Sequence, residues 1–189
     1  MDKRKLIITP LMFLILLVSC VSQPAFFNRG GIDKKNVKIA VLPFRDYNSV
    51  GGNNSGELVR SLFESTLLRK GFQIIEVEKA AAAAEYQFLA KNEFPSKWII
   101  ETGNAIGSDY MIYGSVHDYT VFQNSTTFLY LFEWLEITAS VGITARMVSC
   151  STGEVVWSGS FTGISYTLND AAREAVYSLV RTIREKSAR

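Results

Sequence analysis

The sequence predicts a single α/β domain on a mixed β-sheet, with early βα units, a late antiparallel hairpin and a covering of helices. Three observations carry this expectation. Short apolar runs alternate with stretches of helical periodicity through the first half of the chain. A period-two strand, a turn and an apolar return mark a hairpin around Ser151-Thr152-Gly153. An amphipathic segment then closes the chain.

The elements follow in order. Val37 to Pro43 is a short apolar run of the buried-strand type, which Pro43 ends because it lacks an N–H for the ladder. Asn48 to Ser55 is rich in turn residues, and its Asn and Ser side chains are N-cap candidates. Leu58, Leu62 and Thr66 then recur at helical spacing, as do Val59, Phe63 and Leu67. Gly71 stands after Arg69-Lys70, where a helix C-cap glycine belongs. Phe72 to Val77 reads as a second strand. A helix is expected over Glu78 to Lys91, with the strong helix formers Ala80 to Ala84 inside it, and another over Ser96 to Ala105.

Gly107-Ser108-Asp109 turns the chain into a third strand, Tyr110 to Val116. From Ile137 to Met147 the residues Ile137, Ala139, Val141, Ile143, Ala145 and Met147 share one face, with Thr138, Ser140, Gly142, Thr144 and Arg146 on the other. Val155 to Phe161 is the hairpin partner, and the last helix is expected from Leu168 to Lys186.

Ahead of all this stands a secretory signal. Asp2-Lys3-Arg4-Lys5 is a positive n-region, and Leu6 to Val18 is apolar apart from Thr9 and Pro10. Leu17-Val18-Ser19-Cys20 resembles the bacterial lipoprotein lipobox, which implies cleavage before Cys20 and acylation of its thiol and new N-terminus, including palmitate. Several acyl chains anchor stably where one binds only marginally. The alternative is an ordinary signal peptide with Cys20 near its cut. The organisation expected is therefore signal peptide over 1–19, lipidated N-terminus and tether over 20–36, and domain over 37–189. The polar composition of Val21 to Asn36 predicts the tether; its Phe26-Phe27 pair either dips into the membrane interface or packs on the domain.

Charge excludes one class of partner. The chain holds 20 Lys and Arg against 18 Asp and Glu, and without the first 19 residues the balance is 17 against 17. No basic surplus remains to displace counterions from phosphates, so no nucleic acid is expected. With Cys20 acylated, Cys150 has no disulfide partner and reads as a small buried hydrophobe.

Catalytic motifs fail on their own chemistry. Gly51 and Gly56 have the spacing of a phosphate loop, but Glu57 and Leu58 stand where Lys and Ser or Thr are needed. A turn before a capped helix is the better reading. His117 is the only histidine and reads as a surface residue at a strand end. Asp46, Asp109 and Glu101 suggest no paired-carboxylate spacing. No catalytic residue, metal, cofactor or small-molecule substrate is expected.

Several pieces together resemble one family: Lys38 to Phe44, the loop and helix after it, Ile106 to Val116, and Val141 to Trp157 with its turn at Ser151 to Glu154. They resemble the lipoprotein domain shared by the curli secretion component CsgG and the penicillin-binding-protein activator LpoB, and are similar to the N-terminal domain of TolB. The resemblance implies a non-catalytic, periplasm-facing module that binds other envelope proteins or assembles with itself. It implies an adaptor or activator of LpoB type, or a subunit of an oligomeric CsgG-type transport assembly. CsgG protomers insert two β-hairpins each; here Gly163 to Thr167 is too short for one, and Asp118 to Glu136 holds at most one short hairpin. Val21 after the cysteine, where Asp would favour inner-membrane retention in proteobacteria, points to the outer membrane.

The nearly continuous apolar stretch Phe128-Leu129-Tyr130-Leu131-Phe132-Glu133-Trp134-Leu135 stays open to three readings. It is a core element, a partner or oligomer contact, or a membrane-touching element with Tyr130 and Trp134 as interface anchors. The candidate contact residues are Phe128, Tyr130, Leu131, Phe132, Trp134 and Leu135. Substituting Cys20→Ser is expected to release the protein from membranes or leave its signal uncleaved, read by fractionation and immunoblot; unchanged processing and attachment would exclude the anchor.

Overall fold

In the computed structural model the described residues are 24–34, 36–46, 54–75, 94–128 and 132–185, with 126–128 and 132–135 described by backbone alone. They form β1 (Ala25–Asn28), β2 (Lys38–Val41), β3 (Arg45–Asp46), α1 (Ser55–Lys70), β4 (Gln73–Ile75), α2 (Ser96–Ile106), β5 (Tyr110–Phe128), β6 (Phe132–Ser149), β7 (Val155–Ser165) and α3 (Leu168–Arg181). The sheet runs β1-β7-β6-β5-β2-β4, with β3 also paired to β5. β2 is parallel to β4 and β5, whereas β5, β6, β7 and β1 pair antiparallel. This is the expected mixed α/β sheet. The helix expected over 78–91 falls outside the described residues.

Alternation along β2 explains the layering. Ile39 and Val41 join a core formed with α1 and α3, while Ala40 and Leu42 join a second core with Ile99 of α2. Both faces of β2 are buried, which is why its sequence is apolar without alternation. On β6 the period-two face behaves as expected from Ala139 to Met147, all fully buried. Trp157 of β7, also fully buried, donates its indole N–H to Thr182 Oγ1 at 2.9 Å, so the ring enters the core without an orphaned donor.

Helix ends are set by specific groups. Gly71 adopts φ 92° and returns its N–H to the last turn of α1, the C-cap that the sequence predicts. The N-terminus differs from expectation: Asn54 makes no side-chain cap, and the Asp46 carboxylate reaches the Gly56 N–H at 3.5 Å instead. A Cβ at Gly56 would overlap the Phe44 carbonyl, so the helix start lies directly on the chain leaving β2. α3 begins at Thr167, whose hydroxyl accepts from the Asp170 N–H at 3.1 Å. It ends before the expected Lys186, where Lys70 Nζ donates to the carbonyls of Val180 and Ile183, both at 2.9 Å. A cation there neutralises the negative end of the helix dipole.

The stretch expected to be tether is partly sheet. Ala25 to Asn28 pairs with Ser160 to Trp157, Arg29 N–H bonds Val156, and Ile32 is buried with its N–H on Arg184. An edge strand needs backbone partners more than an apolar pattern, and Asn28 supplies a further bond from Nδ2 to the Thr182 carbonyl at 2.9 Å. Phe26 and Phe27 lie on this edge strand, each about half exposed.

α3 meets β7 at Gly163, where an added Cβ would overlap the Ala171 carbonyl oxygen. Gly163→Ala is therefore expected to destabilise the fold by about 1–3 kcal/mol, the usual range for overpacking, measured by denaturant unfolding. An unchanged midpoint would contradict this contact.

Candidate interaction surface

β5 and β6 outrun the rest of the sheet. β3 last meets β5 at Val116, and β7 last meets β6 at the Ser165↔Ala139 pair. β5 and β6 nevertheless continue pairing from Phe122↔Thr138 to Phe128↔Phe132. At roughly 3.3 Å per residue, the stretch 122–128 projects about 20 Å as a two-stranded ribbon. The sequence suggests separate strands with at most a short hairpin between them; the structure pairs them antiparallel as far as Phe128↔Phe132. Its polar stretch of Gln, Asn, Ser and Thr at 123–127 hides the continuation of the strand.

A bulge marks the point where the ribbon leaves the body. The register shifts between Val116 and Asp118, making His117 the extra residue. Its ring is exposed and lies against Gly142, where a Cβ would come within 2.6 Å of Nε2. His117 is thus a surface residue, but inside a strand rather than at its end. The neighbouring Asp118 carboxylate accepts from Ser140 Oγ at 2.5 Å and Thr120 Oγ1 at 2.9 Å, tying β5 to β6 just past the bulge.

The expected lipidation site Cys20 and the expected contact residues Tyr130 and Leu131 lie outside the described residues. Phe128 and Phe132 pair with each other by register, Trp134 pairs with Thr126, and Leu135 with Ser125. Their nearest described neighbours along the ribbon, Val121 to Ser125 and Glu136-Ile137, are exposed. The structure also identifies residues not singled out from sequence. Val121, Phe122 and Ile137 are 48%, 55% and 37% exposed, and Ile164 and Tyr166 at the end of β7 are 61% and 82% exposed. The register places Val121, Ala139 and Ser165 in one row across three strands, with the five exposed residues within two positions of it. They are scattered in sequence, so only the strand pairing reveals them as a belt.

Cys150 is a free, buried thiol beside Gly103, and burial pushes its pKa up to about 11, against a hydrogen bond with Ser108. It borders a cavity of about 210 Å³ with Asn104, Asp109 and Ser151. Asp109 is already committed there: its carboxylate accepts from the Lys38 N–H at 2.8 Å, and its carbonyl accepts from Cys150 N–H. A neutral thiol is a poor nucleophile. Asp46 fills the anion-favouring end of α1; desolvation raises its pKa while the Gly56 and Ser55 N–H groups pull it down. Among the described residues, no three His, Cys, Asp or Glu side chains are grouped to hold a metal ion.

One ionic cluster ties Lys34 and Glu185 to Lys70 at the end of α1. Glu185 meets Lys34 at 2.5 Å and Lys70 at 3.4 Å. Its carboxyl is held below the usual range, chiefly by the hydrogen bond from Lys34. Lys70 is also lowered, because its desolvation outweighs the attraction of Glu185. The two directions measure different things: the carboxylate profits from its cations, while the half-buried Lys70 bears the cost of lost hydration. A depressed carboxyl pKa contributes stability above its unfolded-state value, lost as pH falls through the folded value. Glu185→Gln is therefore expected to lower the unfolding midpoint at neutral pH and to converge with the parent in acid; a pH-independent difference would contradict the ionic role.

PelC from Paraburkholderia phytofirmans, crystallised as a dodecamer, matches with a TM-score of 0.62 at 16% identity, over 87% of this chain and 99% of that one. Lipoprotein GNA1162 from Neisseria meningitidis gives a TM-score of 0.43 at 19% identity, over 68% and 83% of the two chains. The LpoB C-terminal domain from Salmonella enterica gives 0.38 at 17% identity, over 81% and 92%. At these identities the PelC likeness shows a shared fold. No curated protein sequence matches the chain. The model of the family described as peptidoglycan-synthase activator LpoB matches residues 54–162, from the start of α1 into β7 and more than half of the chain. The chain belongs to the LpoB family.

Proposed function

We propose that this protein is an outer-membrane lipoprotein, anchored through acylated Cys20 and facing the periplasm, that acts without catalysis as an adaptor or activator of an envelope complex. The observation that carries the reading is the family match over 54–162, because the family is described by activation of another protein, a peptidoglycan synthase. The residues offered as partner or membrane contacts are Phe128, Tyr130, Leu131, Phe132, Trp134 and Leu135, of which Tyr130 and Leu131 lie outside the described residues. The β5–β7 face carrying Arg146, Ser158 and Thr162 gives a protein partner a second, polar surface.

A second reading makes the chain one subunit of an oligomeric transport assembly of CsgG type. It draws on the extended β5–β6 hairpin and on the likeness to PelC, which is a dodecamer. Against it, β7 ends at Ser165 and α3 starts at Leu168, leaving no second hairpin between them.

The test is purification from membranes with the native anchor retained, followed by identification of bound proteins and mass measurement of the complex. The adaptor reading predicts a peptidoglycan synthase bound in discrete stoichiometry, whose activity rises on adding this protein. A ring of many copies without a synthase would favour the transport reading and overturn the first.

A further inference from the structure

The belt of exposed apolar residues has a fixed relation to the point where the N-terminus leaves the sheet. β1 runs antiparallel to β7, with Asn28 opposite Trp157 and Ala25 opposite Ser160. Moving from Asn28 toward the N-terminus therefore means moving toward Ser165, the end of β7 that carries Ile164 and Tyr166. That end is also the row from which the β5–β6 ribbon departs.

Distance makes the relation quantitative. Five Cα–Cα steps separate Cys20 from Ala25, a reach of about 18 Å when fully extended. From Ser160 to Ser165 along β7 is roughly 17 Å at strand rise. A lipid attached at Cys20 thus holds the bilayer no farther from β1 than the length of sheet between β1's start and the belt. The domain cannot hang free of the headgroups as a tether of sixteen residues would allow.

We infer that the ribbon end of the sheet docks on the lipid surface, with Val121, Phe122, Ile137, Ile164 and Tyr166 forming the membrane-facing belt. This deepens the proposed function and rests on acylation of Cys20. Both sheet faces contribute: Val121 and Ile137 share the side of the buried Ala139, whereas Phe122 and Ile164 share the side of Ser140. The end of the sheet therefore presents an apolar wedge rather than one apolar face. Among the described residues, five of the ten exposed large apolar side chains fall in this belt. Tyr166 suits the headgroup boundary, where an aromatic body meets a polar tip. Among the described residues no further strand pairs with the edges of the ribbon. Open backbone N–H and C=O groups are not tolerated in hydrocarbon; the strands therefore run aslant to the surface, which keeps the ribbon's roughly 20 Å in the headgroup layer.

The test uses the full chain, produced with its signal in a bacterial host and purified as the mature protein. Phe122→Cys and Tyr166→Cys variants carry an environment-sensitive fluorophore, and Thr152→Cys, at the opposite end of β6, serves as control. The buried Cys150 thiol resists labelling, and intact mass reports whether Cys20 is acylated. Near-ultraviolet circular dichroism checks that each labelled variant is folded. On phosphatidylethanolamine–phosphatidylglycerol vesicles, labels at 122 and 166 are expected to brighten severalfold and to be quenched by lipid-borne nitroxide, with the label at 152 unchanged. Acylated, vesicle-bound protein whose labels at 122 and 166 stay as aqueous as at 152 would overturn the docking alone. Shielding of those labels before lipid is added would assign the belt to a second copy instead. An unacylated mature terminus would remove the anchor and the docking together.

Discussion

The continuous antiparallel pairing of β5 with β6 is the constraint on which the rest of the structure depends. Its inner half is the centre of the sheet: β2 and β3 dock on one side, β7 on the other, and both cores rest on its alternating side chains. Among the described residues, no further strand pairs with its outer half. The same ladder therefore gives the domain its rigidity and carries a ribbon about 20 Å beyond it. A two-stranded ribbon alone is marginal in water. Here it is held by the buried length from which it grows, and by Asp118 bridging Thr120 and Ser140 at its base.

Close approach elsewhere keeps this axis in place. Gly114 lies against the Thr144 carbonyl, Gly163 against Ala171, and Gly103 against Cys150, each position leaving no room for a Cβ. These contacts bring helices and strands within backbone distance and leave little slack for the sheet to slide. A one-residue slip of β6 would turn the buried Ala139-to-Met147 face to solvent, so register is strongly specified in the body. The ribbon inherits that register from the body. Among the described residues, three polar groups with shifted pKa values have structural partners: Asp46 at the start of α1, Cys150 beside Gly103 and Glu185 between Lys34 and Lys70.

Much of the fold was legible because its signals are local. The Gly71 cap, the span of α2, the two-faced burial of β2 and the alternation of β6 each follow from neighbours within a few residues. The features that escaped depend on distant partners. β1 has no apolar pattern and exists because β7 offers an edge; the α1 N-cap comes from Asp46 on another strand; the length of β5 is hidden in a polar stretch. The candidate surface shows the same division. The aromatic stretch 128–135 stands out in the sequence, whereas Phe122, Ile164 and Tyr166 become one belt only when the register aligns their strands. The equivalence between Cys20's reach and the length of β7 was also invisible until β1 was placed.

Amide hydrogen exchange followed along β5 and β6 tests the central claim most directly, because exchange reports the ladder itself rather than any side chain. The account predicts strong protection through 110–121 and 139–149, continuing at a lower but measurable level through 122–128 and 132–138. Exchange at the rate of unstructured chain immediately beyond Val121 and Ala139 would contradict it, leaving a sheet without a ribbon and a belt without its base.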